Sequence, residues 1–173
     1  LLVLLQPERT SDMIRSMLAH REQSVHGVLP VWSHHAGENW CMIGYHAVPV
    51  IADARLKGIR GFDPHEALQA MVASANFDRF DGIGRYRELG WVPADEQSSA
   101  ASKTLEYAYD DWTVGQMALA LGKESDYKTF TKRAFNYKNV FYPEEGFVWM
   151  KNADGSWVED FTPYGHSVFL GPG

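Results

Sequence analysis

This sequence predicts a mainly α-helical fold. Two observations predict it. Apolar residues return at helical spacing in successive stretches, and proline and glycine fall where those stretches begin and end. One segment near the C-terminus carries a hairpin turn signal instead. With 173 residues, 45% of them apolar, the chain can bury a sizeable core as one domain.

The elements follow in order. Leu1–Leu5 reads as the tail of a buried helix or as a strand. Ser11 suits the cap of a helix to about His20, with Ile14, Met17 and Leu18 on one face. Val25–Trp32 is a connection, and Ser33–Asn39 is a polar loop. A second helix is expected from about Trp40 to Lys57, kinked or restarted at Pro49, with Ile43, His46, Ala47, Val50 and Ala54 on its inner face and Gly58 as C-cap. Asp63-Pro64 is a strong start for a helix that buries Leu68, Met71, Val72 and Ala75. A short helix follows from Gly84, then an irregular stretch over Gly90–Ser99. The long helix runs from about Ala100 to Leu121, with Leu105, Ala108, Trp112, Gly115 and Leu119 as its apolar stripe. The next spans Glu124 to Phe141. Gly146–Met150 and Ser156–Val158 flank the turn Asn152-Ala153-Asp154-Gly155.

Composition excludes several roles. The net charge is −6, and no basic stripe offsets it, which argues against a nucleic-acid partner. Cys41 stands alone, so no internal disulfide forms, and a small buried hydrophobe is its expected role. Leu1–Leu5 is too short to span a membrane and lacks the basic start of a signal peptide. No membrane-spanning segment is expected in this chain. The absent initial Met and the Gly171-Pro172-Gly173 finish lead us to expect a piece of a longer protein.

Aromatics reach 13%, with six Trp and eight Tyr, which suits carbohydrate contact as well as a large core. The chemistry concentrates in two places. On the long helix, Glu106, Asp110 and Asp111 sit among Tyr107, Tyr109 and Trp112. Carboxylates accept from hydroxyls, and flat rings cover a sugar face. Glu106 and Asp110 are four apart and share one edge of the helix. Their pairing has several readings: a repelling pair with one raised pKa, a grip on a hydroxyl pair or a cation, or partners for Lys103 or distant arginines. Glycoside hydrolysis needs carboxylates flanking a bond, about 5–5.5 Å apart for retention and about 6.5–9.5 Å for inversion. Two carboxylates pointing the same way from one helix suit substrate holding, so neither is assigned as acid or base.

The second place is Ser33-His34-His35-Ala36-Gly37-Glu38-Asn39-Trp40, where amide, carboxylate and indole crowd together. A plain loop with Asn39 as helix cap is the alternative. Adjacent His34 and His35 make poor joint zinc ligands, and no zinc motif supports them. His46, Met42, Met71, Met117 and Trp112 are expected in the core. Gly82-Ile83-Gly84 lacks the strand and third glycine of a dinucleotide site.

Several blocks carry a resemblance across nearly the whole chain. They are Gln6-Pro7-Glu8-Arg9, Leu29-Pro30-Val31-Trp32-Ser33, Glu38 through His46, Val50-Ile51-Ala52-Asp53-Ala54, Gly90-Trp91-Val92-Pro93-Ala94-Asp95, Ser102 through Trp112, Lys132-Arg133-Ala134 and Asn152 through Trp157. In this order they resemble glycoside hydrolase family 92, the calcium-dependent exo-acting alpha-mannosidases. The resemblance implies that residues 1–173 are part of an (alpha/alpha)6 toroid, the helical catalytic domain, with the β-hairpin near its end. It implies hydrolysis of terminal alpha-mannose from glycans with inversion, calcium as cofactor with ligands outside this chain, and a periplasmic or extracellular location. The family's acid lies in a Glu-Gly-Asn-Ala-Trp-like motif expected just beyond Gly173, and its base later still. No catalytic residue is therefore carried over, and the chain alone is expected to be inactive. Glu38, Asn39, Trp40, Glu106 and Asp110 match the family blocks and are the expected mannose contacts. The alternatives are another helical-toroid glycosidase of trehalase-like kind and a non-enzymatic helical module that binds glycan or protein.

An arc of a toroid leaves apolar helix faces uncovered, and large exposed patches promote association. The isolated 173 residues are expected to associate on light scattering; a sharp cooperative melt from a monomer would contradict that.

Overall fold

The structure is a computed structural model and describes residues 1–34 and 37–159. Among these are seven α-helices and two small antiparallel strand pairs, one between the second and third helices and one after the seventh. The helices are α1 (Leu2–Leu5), α2 (Pro7–Gln23), α3 (Ala47–Leu56), α4 (Pro64–Ala75), α5 (Ile83–Leu89), α6 (Ala100–Ala120) and α7 (Glu124–Arg133), the last continuing as a 3-10 helix over Ala134–Val140. The strands are β1 (Ser33–His34) with β2 (Gly37–Glu38), and β3 (Phe141–Tyr142) with β4 (Phe147–Val148). The expected mainly α fold with a hairpin near the C-terminus is what forms. His35 and the 160–173 segment lie outside the described residues.

Each helix begins where local chemistry allows. α2 starts at Pro7, earlier than the expected Ser11 cap, because proline at the first helical position sacrifices no hydrogen bond. Ser11 is buried inside the helix instead. Of the two readings of Leu1–Leu5, helix tail or strand, the helix forms as the short α1, but Leu1, Leu4 and Leu5 are exposed rather than buried. α4 follows its sequence signal. Asp63 accepts from the His65 and Glu66 N–H groups at 2.8 and 3.2 Å, and these bonds hold its carboxyl below the usual range.

The helix expected from Trp40 begins only at Ala47. Pro49 falls in its first turn, where a missing N–H is harmless. Residues before it are held out of helix by Gly44, whose φ of 81° is left-handed, and by a carboxylate of α6 that captures the Tyr45 N–H. Cys41 and Met42 are consequently exposed, against expectation.

α6 lies at the centre and packs against α7, α3 and α4. Gly115 lets α7 approach closely, since a Cβ there would sit 3.2 Å from Thr131 Oγ1. The inner face of α6 differs from the apolar stripe read from the sequence. Thr104, Tyr107, Ala108, Asp111, Val114 and Ala118 are buried, while Trp112 and Leu119 are about half exposed and Leu105 is also exposed. The polar residues on the true inner face hid its period. Thr104 Oγ1 donates to Ala100 O and accepts from Val92 N, both at 2.9 Å. Lys103 is buried against Asp81 at 2.7 Å.

The C-terminal hairpin turns at Asn152–Gly155 as expected, closed by an Asn152 N–H bond to Ser156 O at 2.8 Å. It docks on the loop before α6. Ala94 N donates to Lys151 O at 2.9 Å, and Lys151 Nζ lies over the Trp91 and Trp157 rings at 4.4 and 5.0 Å.

Ile51 is fully buried on α3, whereas its neighbour Val50 is 41% exposed. In the full natural protein, Ile51→Ala is expected to cost about 2–5 kcal/mol in urea denaturation, and Val50→Ala less than about 0.5 kcal/mol.

Candidate functional site

One turn of α6 carries the chemistry, because successive carboxylates there face different neighbours. Asp111 points into the core and is fully buried. Tyr45 Oη donates to its Oδ1 at 2.7 Å, and Tyr86 Oη and Arg133 Nε donate to its Oδ2 at 2.9 and 2.8 Å. Burial pushes its carboxyl up to about 6, against the pull of Arg133 and of the two phenols. Arg133 reaches further, donating to Ala75 O and Asn76 Oδ1 at the end of α4, both at 2.9 Å.

Asp110 faces the chain before α3. Tyr45 N donates to its Oδ2 at 2.7 Å, and His46 Nδ1 lies 2.8 Å from its Oδ1. The same imidazole places Nε2 3.1 Å from Glu106 Oε2. His46 was expected in the core; its side chain is 43% exposed, because the late start of α3 turns it onto the rim of α6. The hydrogen bond to Asp110, and then the two negative charges, raise its pKa against a smaller effect of burial. Burial raises Asp110, opposed by His46 and the Tyr45 N–H.

The five expected sugar contacts therefore differ in standing. Glu106 keeps a side chain 39% exposed and only one oxygen engaged among the described residues. Asp110 is fully buried, and both of its oxygens are bonded, one to Tyr45 N and one to His46 Nδ1. Glu38 organises its own loop: it accepts from the N–H groups of Val31, Trp32, Asn39 and Trp40 at 2.6 to 2.9 Å. Asn39 is exposed, and its Oδ1 accepts from Cys41 N at 2.9 Å. Trp40 is half-buried at a left-handed φ of 49°, and its indole Nε1 is buried without a hydrogen-bond partner.

Among the described residues, a chain of aromatic rings links the two groups. Trp40 contacts Phe80, Phe80 contacts Tyr107, and Tyr107 stacks on Tyr45 at centroid distances of 5.7, 6.1 and 5.6 Å. Tyr109 and Trp112, half exposed and 6.4 Å apart, line a groove of about 560 Å³ with Leu105, Phe135 and Tyr137 on the outer side of α6 and α7. Trp112 is thus a surface residue, correcting its expected place in the core.

Sequence reading missed His46 and Arg133. The available signal was the crowding of three carboxylates on one helix, since every buried one demands a partner.

The catalytic-domain profile of glycosyl hydrolase family 92 matches residues 1–169. The chain belongs to glycoside hydrolase family 92. Among solved family 92 structures, the alpha-mannosidase BT3965 of Bacteroides thetaiotaomicron in complex with mannoimidazole is 46% identical, with a TM-score of 0.89 over 91% of this chain and 21% of that one. The inverting mannosidase BT2199 of the same organism is 37% identical, with a TM-score of 0.82 over 90% of this chain and 22% of that one. An uncharacterised secreted glycosidase of Arthroderma benhamiae is 29% identical over 136 residues, 69% of this chain and 17% of that protein. The chain thus spans 17–22% of the length of these relatives. The helices form part of the family's helical toroid. Membership decides against a trehalase-like relative. Among the described residues no helix is long and apolar enough to cross a membrane.

Arg133→Met would leave the Asp111 carboxyl buried without its cation. A loss of about 3–5 kcal/mol in thermal or urea stability is expected. Asp111 is raised from 3.8, so the folded state holds its proton longer and this group's contribution to stability falls as pH rises from 3.8 to about 6. In Arg133→Met that decline should extend to higher pH.

Proposed function

We propose that this chain is part of the catalytic domain of an exo-acting alpha-mannosidase, which releases terminal alpha-mannose from glycans with inversion of configuration. The carrying observation is the 46% identity, over 91% of the chain, to an alpha-mannosidase described with mannoimidazole. The description of a 37% identical relative as an inverting mannosidase supports the stereochemistry. The secreted Arthroderma relative supports a location outside the cytoplasm.

Within that reaction the chain binds and orients. Glu106 offers a carboxylate oxygen to the hydroxyls of mannose, and Tyr109, three residues along α6, has an exposed ring with a flat apolar face. Asn39 and Trp40 stand as further contacts on the neighbouring loop. An inverting reaction takes one carboxylic acid to protonate the leaving oxygen and one carboxylate to activate water, about 6.5–9.5 Å apart. Glu106 and Asp110 share one imidazole and one helix edge, so neither fills those roles. The acid and base are supplied by other segments of the protein, and the chain by itself is inactive.

Calcium belongs to the proposal through the family resemblance. The residues described here do not fit it: among them no group of three or more His, Cys, Asp or Glu side chains could hold a metal ion. Glu106, His46 and Asp110 direct their polar atoms at one another. No ligand is assigned to this chain, and no step runs through the metal.

The test uses the full natural protein on alpha-mannobiose. Mannose release in calcium, loss of activity with a chelator and initial formation of beta-mannose by proton NMR are expected. Absence of mannose release in calcium would overturn the reading.

A further inference from the structure

Glu106 stands on the rim of α6 with a long side chain, and free rotation would scatter its carboxylate over several rotamers. His46 removes that freedom. Its Nε2 lies 3.1 Å from Glu106 Oε2, while its Nδ1 is anchored 2.8 Å from Asp110 Oδ1. The anchor is itself fixed, since Asp110 is fully buried and takes the Tyr45 N–H at 2.7 Å. The other side of the ring rests on Gly44, where a Cβ would overlap the imidazole. Both ring nitrogens face carboxylates, and only an imidazolium has a proton for each.

We infer that His46 is the positioning residue of the mannose-binding surface: as an imidazolium bridging Asp110 to Glu106, it holds Glu106 by one oxygen and leaves the other to accept a sugar hydroxyl. The identity of the sugar rests on the mannosidase reading above.

The groups that face His46 are Asp110 and Glu106 from α6, with Tyr45, Asp111 and Arg133 behind Asp110. Among the described residues Glu106 has no other ion-pair partner, because nearby Lys103 is committed to Asp81. Loss of the imidazolium proton leaves one N–H for two carboxylates. Asp110 keeps it, since a buried acceptor costs more to strand than a half-exposed one. Glu106 is then released. The hydrogen bond to Asp110 and the two negative charges hold the proton on His46 to higher pH than an ordinary imidazole, against partial burial. Mannose affinity therefore weakens as pH rises through that raised value.

The test combines kinetics and titration on the full natural protein. With alpha-mannobiose, KM is expected to climb on the alkaline side while kcat changes little, because a contact made equally in ground and transition states moves KM alone. His46→Gln should have a KM about tenfold higher, the scale of one lost charge-assisted hydrogen bond, and no alkaline climb. A wild-type KM profile in His46→Gln would overturn the inference. Carbon-13 NMR of labelled histidine, assigned by the signal lost in His46→Gln, gives a readout independent of activity. His46 should titrate above 6.5 and shift down in Glu106→Gln; titration at 6.5 or below, unmoved by Glu106→Gln, would refute the bridge. A raised, Glu106-dependent titration in a protein that releases no mannose would uphold the bridge and reject the mannosidase reading instead.

Discussion

A carboxylate buried at the centre of a helical packing has to be satisfied from every side, and Asp111 imposes that demand on the whole arrangement. Its partners come from the turn before α3, from α5 and from α7. Arg133, its cation, also closes the carbonyl end of α4. A packing that omits any of these segments leaves a charge or a polar atom stranded in a low-dielectric interior. Such a pair need not add stability over an apolar replacement. Here it ties the turn before α3, α5, α7 and the end of α4 to one buried point.

Asp110, the next residue back, extends the same logic to the surface. Adjacent positions on a helix point about 100° apart, by its 3.6-residue turn. One carboxylate therefore knits the core while its neighbour fixes His46 and, through it, Glu106. Framework and proposed binding surface share a single helical turn. The stack of Tyr45 on Tyr107 backs the same turn and couples it to Phe80 and Trp40. A rim carboxylate supported this way keeps its geometry at little entropic cost on binding.

Some of the blocks that carry the family resemblance are packing partners. Trp91 and Asp95 bond Asn152 O and Ala153 N, so two distant blocks are the two halves of one docking contact. Glu38 gathers four backbone N–H groups and shapes its loop. A side chain can belong to a family's signature because the fold needs it, with no ligand involved.

Helix existence and most helix starts were legible along the chain. Asp63-Pro64 marked α4, and Asn152–Gly155 marked the hairpin turn, because capping and turn chemistry act between near neighbours. The crowding of Glu106, Asp110 and Asp111 marked the right turn of α6. Its inner face was not legible, since Lys103, Thr104 and Asp111 are polar residues satisfied only by partners far along the chain. The same reason hid His46: periodicity placed it inside a helix, and only the capture of the Tyr45 N–H by Asp110, 65 residues away, turned it outward. Local preference, summed over neighbours, determined the helices; pairing between distant polar groups, which no local pattern encodes, decided their inward faces and where His46 and Glu106 meet.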